Sequence, residues 1–387
     1  MYRLRPYQQE AANAGVRFMT SRTDWNGVIV LPTGSGKSLV IATIAAALNA
    51  PVLVFQPSKE ILEQNYAKYT GYGFSAGIFS ASFGKRQIRR VTFATIGSVR
   101  RFKEYFSTFR YIIVDECHYV NPRKGMYLDF FASVDARILG LTATPYRLRS
   151  SLVRGVGYVS RLEFITRTSP RVFSGIIFSV QVAYLKSLGY LADISYFPRN
   201  VVDTRRLKLN STGADFTEDS IRNLYREIRF NETLEDTVRR LLASGRKGVL
   251  VFTRFTDEAR SLCRNFEGQC EYVTSETAPS ERERILSGFK DGRIKVVSNV
   301  GVLTTGFDYP ELDTVVIARP TMSLALWYQM IGRAIRPYPG KVAWVVDLCG
   351  SFSRFGPVES LELRKDDDGR YAVFSGKRQL TDVPFQK

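Results

Sequence analysis

The sequence is poor in the residues that build metal centres and disulfide frameworks. It has one histidine, His118, and four cysteines, Cys117, Cys263, Cys270 and Cys349. No two cysteines form a CxxC pair. This spacing argues against a zinc site and a disulfide framework, and it predicts reduced thiols in a cytoplasmic protein.

Long hydrophobic runs are also missing. The longest apolar stretches have the length of a β-strand, far short of the 20 or so residues that cross a bilayer. The N-terminal MYRLRPYQQEA lacks the apolar central region of a signal peptide. Low-complexity tracts are absent as well. We therefore expect no membrane partner and a cytoplasmic location.

Acidic residues are scarce relative to basic ones. The 387 residues include 55 Lys and Arg but only 37 Asp and Glu, which gives a net charge of +18. Such an excess favours an anionic partner, and without a membrane segment nucleic acid is the first candidate. The length predicts two or three domains, and 44% hydrophobic residues are enough to build their cores.

Strand-like and helix-like segments alternate in both halves of the chain. The first half has the strand patterns GVIV, PVLVF, VTFAT, YIIVD and ILGLTAT, and the second has GVLVFTRF, KVVSNV, TVVIARP and VAWVVDL. Helical patterns lie between them, as in SERERILSGFKDG, where Ser280 is a plausible N-cap and Gly292 follows the end. This alternation predicts parallel sheets covered on both faces, with polar motifs at the carboxyl ends of the strands.

The segment PTGSGKS follows the first of these strands and opens a helix. Thr33, Gly34, Ser35 and Gly36 can bring backbone N–H groups to phosphate, Lys37 can reach the β- and γ-phosphates, and Ser38 can bind Mg²⁺. The leading glycine of the usual phosphate-loop pattern is replaced by Leu31. The alternative is a chance Gly-rich turn, and the strand before and the helix after argue against it.

The segment YIIVDECH ends a buried strand with two acids. Asp115 is the expected Mg²⁺ partner, and Glu116 is the expected base for the attacking water. A solvated acidic pair is the alternative. His118 is predicted to couple the γ-phosphate region to other motifs, although a lone histidine is more often structural.

Together these motifs resemble a family. TGSGKS, DECH, TATP (residues 142–145) and QMIGRAIRP (residues 329–337) are similar to a DExH-type helicase of superfamily 2, over about residues 4–348. Four segments are most similar in sequence to the bacterial RadD group, and more distantly to the UvsW and XPB helicases: LRPYQQEA, VLPTGSGKSLVIA, GLTATPYRL and VLTTGFD. The resemblance implies an α/β fold of two tandem RecA-like lobes with parallel sheets. The expected domains are residues 1–163, residues 164–350 and a C-terminal extension, residues 351–387, with a hairpin at Asp368-Gly369.

The same resemblance implies roles for further residues. ATP contacts are expected from Arg5, Gln8, Gly306, Asp308 and Gln329. Coupling is expected from His118, Thr142 and Thr144, and arginine fingers from Arg333 and Arg336, whose spacing predicts one helical face. Nucleic-acid contacts, each of which could instead be a cap or a turn, are expected from Pro57, Ser58, Thr95, Gly97, Thr253, Arg254, Thr304 and Thr305.

Two basic stretches lie outside these motifs. One is KRQIRR, from Lys85 to Arg90. The other runs from Arg147 to Arg171 and holds six arginines against one acid, Glu163. A charge run is usually a solvated face, and a duplex-binding role is the open alternative.

The resulting hypothesis is an ATP-dependent DNA helicase or translocase with ATP and Mg²⁺ as cofactors. It would couple hydrolysis to unwinding or remodelling of repair, recombination or replication intermediates in a bacterial or phage-infected cell. RNA is a possible partner in place of DNA. The alternatives are an RNA helicase, an ATP-gated nucleic-acid clamp with little unwinding, and the motor subunit of a nuclease.

Overall fold

The computed structural model describes residues 3–153, 157–304, 307 and 309–383. The chain divides into two compact units. The first unit consists of Met1–Arg147, Glu163–Gln181 and Leu363–Ala372, and the second of Leu148–Leu162, Val182–Glu362 and Val373–Lys387. The domain boundaries expected from the sequence, after residues 163 and 350, stay a prediction.

Strands and helices mostly alternate up to residue 142, and three further strands follow before residue 181. In chain order they are α1 Pro6–Thr20, β1 Gly27–Val30, α2 Lys37–Ala47, β2 Val52–Phe55, α3 Lys59–Gly71, β3 Gly77–Ser80, β4 Lys85–Arg86, β5 Val91–Ala94, α4 Ile96–Val99, β6 Tyr111–Asp115, α5 Met126–Phe131, β7 Arg137–Thr142, β8 Tyr146–Val153, β9 Gly157–Phe164 and β10 Gly175–Ser179. Short 3₁₀ helices cover Ala81–Phe83, Arg100–Phe106 and Cys117–Tyr119.

Within the described residues, the sheet of the first unit has the strand order β10-β1-β7-β6-β2-β5-β3-β4. Neighbouring strands of this sheet are parallel, except that β3 and β4 are antiparallel. β1, β2, β3 and β5 are buried along their whole length, which explains their continuous apolar runs. Because β1, β7 and β6 are neighbours, the segments after their carboxyl ends meet at one edge of the sheet.

The remaining elements belong mostly to the second unit. They are α6 Val182–Ser187, β11 Asp193–Pro198, α7 Glu218–Glu227, α8 Phe230–Ala243, β12 Val249–Thr253, α9 Thr256–Arg264, β13 Cys270–Val273, α10 Pro279–Lys290, β14 Val296–Asn299, β15 Thr314–Ala318, α11 Leu324–Ile331, β16 Val342–Asp347, α12 Ser351–Phe355, β17 Leu361–Lys365, β18 Tyr371–Ser375 and β19 Arg378–Gln379. Further 3₁₀ helices cover Thr204–Arg206 and Val358–Ser360.

The sheet of the second unit has the order β11-β16-β15-β12-β14-β13, and its strands are parallel. The expected α/β architecture with parallel sheets is therefore confirmed. The strands β17, β18 and β19 form a separate small sheet, and the β17–β18 turn lies at Asp368-Gly369 as the sequence predicts. Among the described residues, no helix has both the length and the apolarity to span a membrane.

Two expectations are wrong in detail. Helix α10 is capped by Ala278 and has Pro279 at its first position, so Ser280 lies inside the helix. A proline is favoured there because its missing N–H would have no helical partner. The cysteines are not all free thiols, because Cys263 and Cys270 form a disulfide between the end of α9 and the start of β13. Their sequence separation of 7 places them on consecutive elements that the sheet brings together.

Candidate active site

The loop between β1 and α2 has the backbone of a phosphate cradle. Gly34 and Gly36 have φ angles of +83° and +82°, a region that glycine adopts without strain. Gly36 is the N-cap of α2, and a Cβ atom added there would lie 2.5 Å from Nε2 of Gln8. Lys37 is the first residue of α2 and Ser38 the second, so both follow directly from the glycine turn. The sequence prediction for this loop thus matches its geometry.

Helix α1 holds this loop from one side. Tyr7 Oη and Gln8 Nε2 both donate to the carbonyl oxygen of Ser35, over 2.5 and 2.7 Å. The backbone N–H of Arg5 donates to Gln8 Oε1 over 2.9 Å. Gln8 is buried, and its amide is used by the loop in this state. The adenine contact expected from Gln8 and Arg5 stays a prediction, now with Gln8 placed directly against the phosphate loop.

The acids at the end of β6 face Lys37. Its Nζ donates to Glu116 Oε1 and lies 4.0 Å from Asp115 Oδ1. Burial raises the pKa of Asp115, although the Lys37 ammonium opposes this. For Glu116 the effect of burial is outweighed by Lys37 and His118, and the pKa of this carboxyl is lowered. Burial lowers the pKa of Lys37, but the two carboxylates more than compensate and the pKa is raised.

A buried polar chain continues from Glu116 to the end of β7. His118 Nδ1 lies 3.3 Å from Glu116 Oε2, 2.8 Å from Thr142 Oγ1 and 3.3 Å from Thr144 Oγ1. The N–H of Thr144 donates to Thr142 Oγ1 over 3.0 Å. Glu116 has φ of +49°, an uncommon value for a non-glycine residue that turns its carboxylate back toward Lys37 and His118. The structure thus brings the predicted coupling residues together with the acids.

The donors around this loop suit a magnesium–nucleotide complex better than a cage for a bare metal. Among the described residues, no group of three or more His, Cys, Asp or Glu side chains could hold a metal ion. Mg²⁺ often uses one or two protein oxygens together with phosphate and water, and Asp115 and Ser38 supply that number. Ser35 Oγ is buried without a partner in the described part of the chain, which fits a donor awaiting a ligand.

The arginines predicted as fingers lie in the second unit. Helix α11 ends at Ile331, so Arg333 and Arg336 follow it and do not share a helical face, which corrects that expectation. Arg333 is buried and donates from Nη1 to the Phe307 carbonyl over 2.8 Å and from Nε to that of Gln329 over 3.4 Å. Arg336 is only partly buried. Gln329 is itself buried within α11.

The nucleic-acid residues predicted in the first unit lie at the carboxyl edge of its sheet. Ser58 follows β2 and caps α3, accepting the N–H of Ile61 over 3.3 Å. Thr95 follows β5, and its hydroxyl lies 2.9 Å from that of Ser98. Pro57 is partly buried and Gly97 is exposed. The structure therefore lines up both predicted segments along one edge.

The nucleic-acid residues Thr253 and Arg254, predicted in the second unit, are less accessible to a ligand, because they are buried or already paired. The Thr253 hydroxyl is fully buried and lies 3.3 Å from Ser298 Oγ and from the Asn299 carbonyl oxygen. Arg254 is paired with Asp215 at 3.4 Å and Glu218 at 3.5 Å. Thr304 is partly buried. The predicted residues Thr305, Gly306 and Asp308 lie outside the described residues.

Comparison with known proteins agrees with this geometry. Residues 1–147 match the family described as "Type III restriction enzyme, res subunit", and residues 232–338 match the "Helicase conserved C-terminal domain". The chain belongs to superfamily 2 of the helicases. The finer resemblance to the RadD group stays a prediction.

Two relatives and one solved structure are similar to this chain. The chain is 26% identical to the "51.5 kDa protein" of a Lactococcus phage, covering 83% of this chain and 65% of that protein. It is 26% identical to the "DNA 3'-5' translocase XPB2" of Sulfurisphaera tokodaii, covering 86% and 78%. The DNA-bound type ISP restriction-modification enzyme LlaBIII shares the fold, with a TM-score of 0.64 at 16% identity, over 90% of this chain and 28% of that chain.

One residue of this superfamily 2 site was not predicted from the sequence. Asn65, in the middle of α3, donates to Asp115 Oδ2 over 3.2 Å. It lies 50 positions before the acid and outside every motif. The only available signal was an amide on the buried face of a helix, in register with Leu62 and Tyr69.

Proposed function

We propose that this protein hydrolyses ATP with Mg²⁺ and that nucleic acid stimulates the reaction. The observation that carries this proposal is the position of Lys37, at the start of α2, beside Glu116 and Asp115 at the carboxyl end of β6. Asp115 and Ser38 would hold Mg²⁺, which would supply positive charge that neutralises phosphate charge.

The contact between Lys37 and Glu116 suggests how the site is switched on. While Lys37 is bonded to Glu116, that carboxylate is a weak base because its pKa is lowered. A phosphate oxygen would compete for the Lys37 ammonium and free Glu116 to accept a proton from water. His118 and Thr142 would keep the carboxylate oriented, since both contact its Oε2 atom at 3.3 and 3.4 Å.

Transition-state charge on the γ-phosphate needs a further cation, and we assign this role to Arg333 and Arg336 of the second unit. Arg333 also donates to two backbone carbonyls. We infer that Arg333 has a second role, which is to fix the segment around Phe307.

DNA is the proposed partner. The net charge of +18 favours an anion, and the hydroxyls and amides near Ser58 and Thr95 suit phosphate contacts without base reading. A relative is named a DNA translocase, and one structural neighbour is a DNA-bound enzyme. We propose translocation on, or remodelling of, DNA repair, recombination or replication intermediates in the cytoplasm of a bacterial or phage-infected cell.

Steady-state ATP hydrolysis against a panel of nucleic acids tests this proposal. The panel contains single-stranded, duplex, forked and four-way DNA, together with RNA of the same sequences. We expect the largest stimulation of ATP hydrolysis from one of the DNA forms. On duplex DNA, the slope of log K against log salt concentration should steepen by about 0.9 for each phosphate contacted. Stimulation by RNA alone would favour an RNA helicase. Tight binding with little turnover would favour an ATP-gated clamp.

A further inference from the structure

Asn65 occupies a position where an apolar residue would be expected. It lies on the buried face of α3 with Leu62 and Tyr69, and 5% of its surface is exposed. Burying an amide is unfavourable unless its polar atoms find hydrogen-bond partners. The role of the side chain at this position therefore follows from the groups to which it is hydrogen-bonded.

The Asn65 side chain donates two hydrogen bonds from the same nitrogen atom. Nδ2 donates to Gln56 Oε1 over 2.8 Å and to Asp115 Oδ2 over 3.2 Å. An amide nitrogen has two hydrogens, so both bonds can form at once. Phe55, the last residue of β2, pairs with Val114 of β6; Gln56 follows β2 directly, and Asp115 is the last residue of β6. Asn65 therefore ties together the ends of two adjacent strands.

Gln56 links this bridge to the surface predicted to hold nucleic acid. Its backbone N–H donates to the carbonyl of Ala94 over 2.9 Å, and Ala94 precedes Thr95. On the other side, Gln56 is followed by Pro57 and by Ser58, the cap of α3. A displacement of either predicted contact segment would reach Gln56 within one or two residues.

The Gln56 amide is only half satisfied. Its Nε2 atom is buried and finds no acceptor in the part of the chain that the structure describes. A buried donor without a partner is unfavourable, so a rearrangement that supplied an acceptor would be favoured. Of the three residues in the bridge, Gln56 is therefore the one whose side chain would be stabilised most by a second conformation that gives its Nε2 atom an acceptor.

We propose that Asn65 is a positioning residue that transmits nucleic-acid binding to the nucleotide site through the bridge Gln56–Asn65–Asp115. This inference rests on the proposed function, because it assumes that nucleic acid and Mg·ATP bind to the same chain. It adds the residue through which the two sites influence each other. Such influence is a coupling free energy, so it acts in both directions.

The test measures this coupling by equilibrium binding and by turnover. The affinity of a fluorescent, non-hydrolysable ATP analogue with Mg²⁺ is measured with and without saturating DNA, and ATP hydrolysis is measured under the same conditions. Asn65→Leu removes the bridge while keeping a side chain of similar size. Gln56→Leu breaks it from the other end and serves as the deciding variant if Asn65→Leu does not fold. Ala67→Leu, at an exposed position of α3, is the matched control.

We expect Asn65→Leu and Gln56→Leu each to reduce the effect of DNA on analogue affinity and turnover by about 5- to 150-fold, the usual range of coupling between two sites. DNA affinity measured without nucleotide should be retained, and Ala67→Leu should behave as wild type. The double variant should be no worse than either single one, because both break the same bridge.

Unchanged coupling in the two single variants would overturn the proposal. So would an equal loss of turnover with and without DNA, since Asn65 would then only support Asp115. Additive losses in the double variant would show two separate effects and would also contradict it. Failure of the proposed function is recognised separately, because wild-type protein would then show no effect of DNA on ATP binding or hydrolysis.

Discussion

Asp115 at the end of β6 in the first unit and Asp347 at the end of β16 in the second unit have different bonding partners. Both follow buried apolar runs, IIV in β6 and WVV in β16, and burial raises the pKa of both. Asp115 faces Lys37 at 4.0 Å and Asn65 at 3.2 Å. Asp347 instead accepts the N–H groups of Cys349 and Phe352, over 2.9 and 2.6 Å, and Phe352 lies in the first turn of α12.

The comparison shows that an acid at the end of a buried strand does not by itself mark a catalytic site. The Asp347 carboxylate accepts hydrogen bonds from backbone N–H groups, so its role is to stabilise the start of the next helix. Asp115 is surrounded by side chains, one of them a lysine from a phosphate-type loop. The partners of the acid, rather than its position at a strand end, distinguish the proposed nucleotide site from the end of β16.

The same substitution at both acids tests this difference with the largest expected effect. Asp115→Asn should abolish ATP turnover, because the proposed Mg²⁺ ligand is lost. Asp347→Asn should keep turnover but lower the thermal midpoint, since one capped N–H loses its acceptor at a cost of about 1–3 kcal/mol. Steady-state ATPase assays and thermal unfolding of both variants decide the matter. Equal loss of turnover in both would contradict the comparison.

Arg333 and Arg336 extend the comparison within the second unit. Arg336→Ala should lower kcat by about 10³-fold or more while ATP affinity changes far less. Arg333→Ala should also lower kcat more than affinity, and in addition it should lower the thermal midpoint, because the Phe307 carbonyl loses its donor. Rapid-mixing kinetics and nucleotide titration separate kcat from affinity. A parallel fall of the two would indicate a ground-state contact.

Glu116→Gln addresses the neighbour of Asp115. We expect the variant to bind Mg·ATP but to hydrolyse it about 10²–10⁴-fold more slowly, the usual effect of removing a general base. Nucleotide titration and single-turnover kinetics provide the two readouts. If nucleotide binding is lost as well, Glu116 has a structural role like that of Asp347.

The smallest expected effect concerns Glu258, whose titration should make the stability of the fold depend on pH. This acid accepts the N–H groups of Phe255 and Arg254 at the start of α9, and burial raises its pKa to about 7. A raised carboxyl pKa stabilises the fold below the unfolded value, and this contribution is lost as pH rises to the folded value.

Glu258→Gln removes this titration and keeps an oxygen acceptor for the two N–H groups. The stability of the variant relative to wild type should therefore rise between pH 4.5 and about 7 and stay level above that. Thermal midpoints of both proteins across this range measure it. A difference that does not vary with pH would show that Glu258 titrates normally.

Local patterns predicted the parts of the site that lie next to a strand end. The loop around Lys37 and the acids at Asp115 and Glu116 follow continuous apolar runs, whereas the roles of Thr142 and Thr144 were expected from the family resemblance. The order of parallel strands then brings them to one edge. The link from Asn65 to Asp115, the bonds of Arg333 to backbone carbonyls and the Cys263–Cys270 disulfide depend on tertiary contacts. No period or motif in the sequence encodes them.

The most direct test of the account is ATP hydrolysis by wild-type protein and Lys37→Ala, each with Mg²⁺, in the presence and absence of DNA. The Lys37 ammonium contacts both strand-end acids, so its loss removes the charge that would meet the phosphates. We predict DNA-stimulated turnover in wild type and background turnover in the folded variant. Near wild-type turnover in Lys37→Ala would contradict the assignment of this loop as the site of ATP hydrolysis.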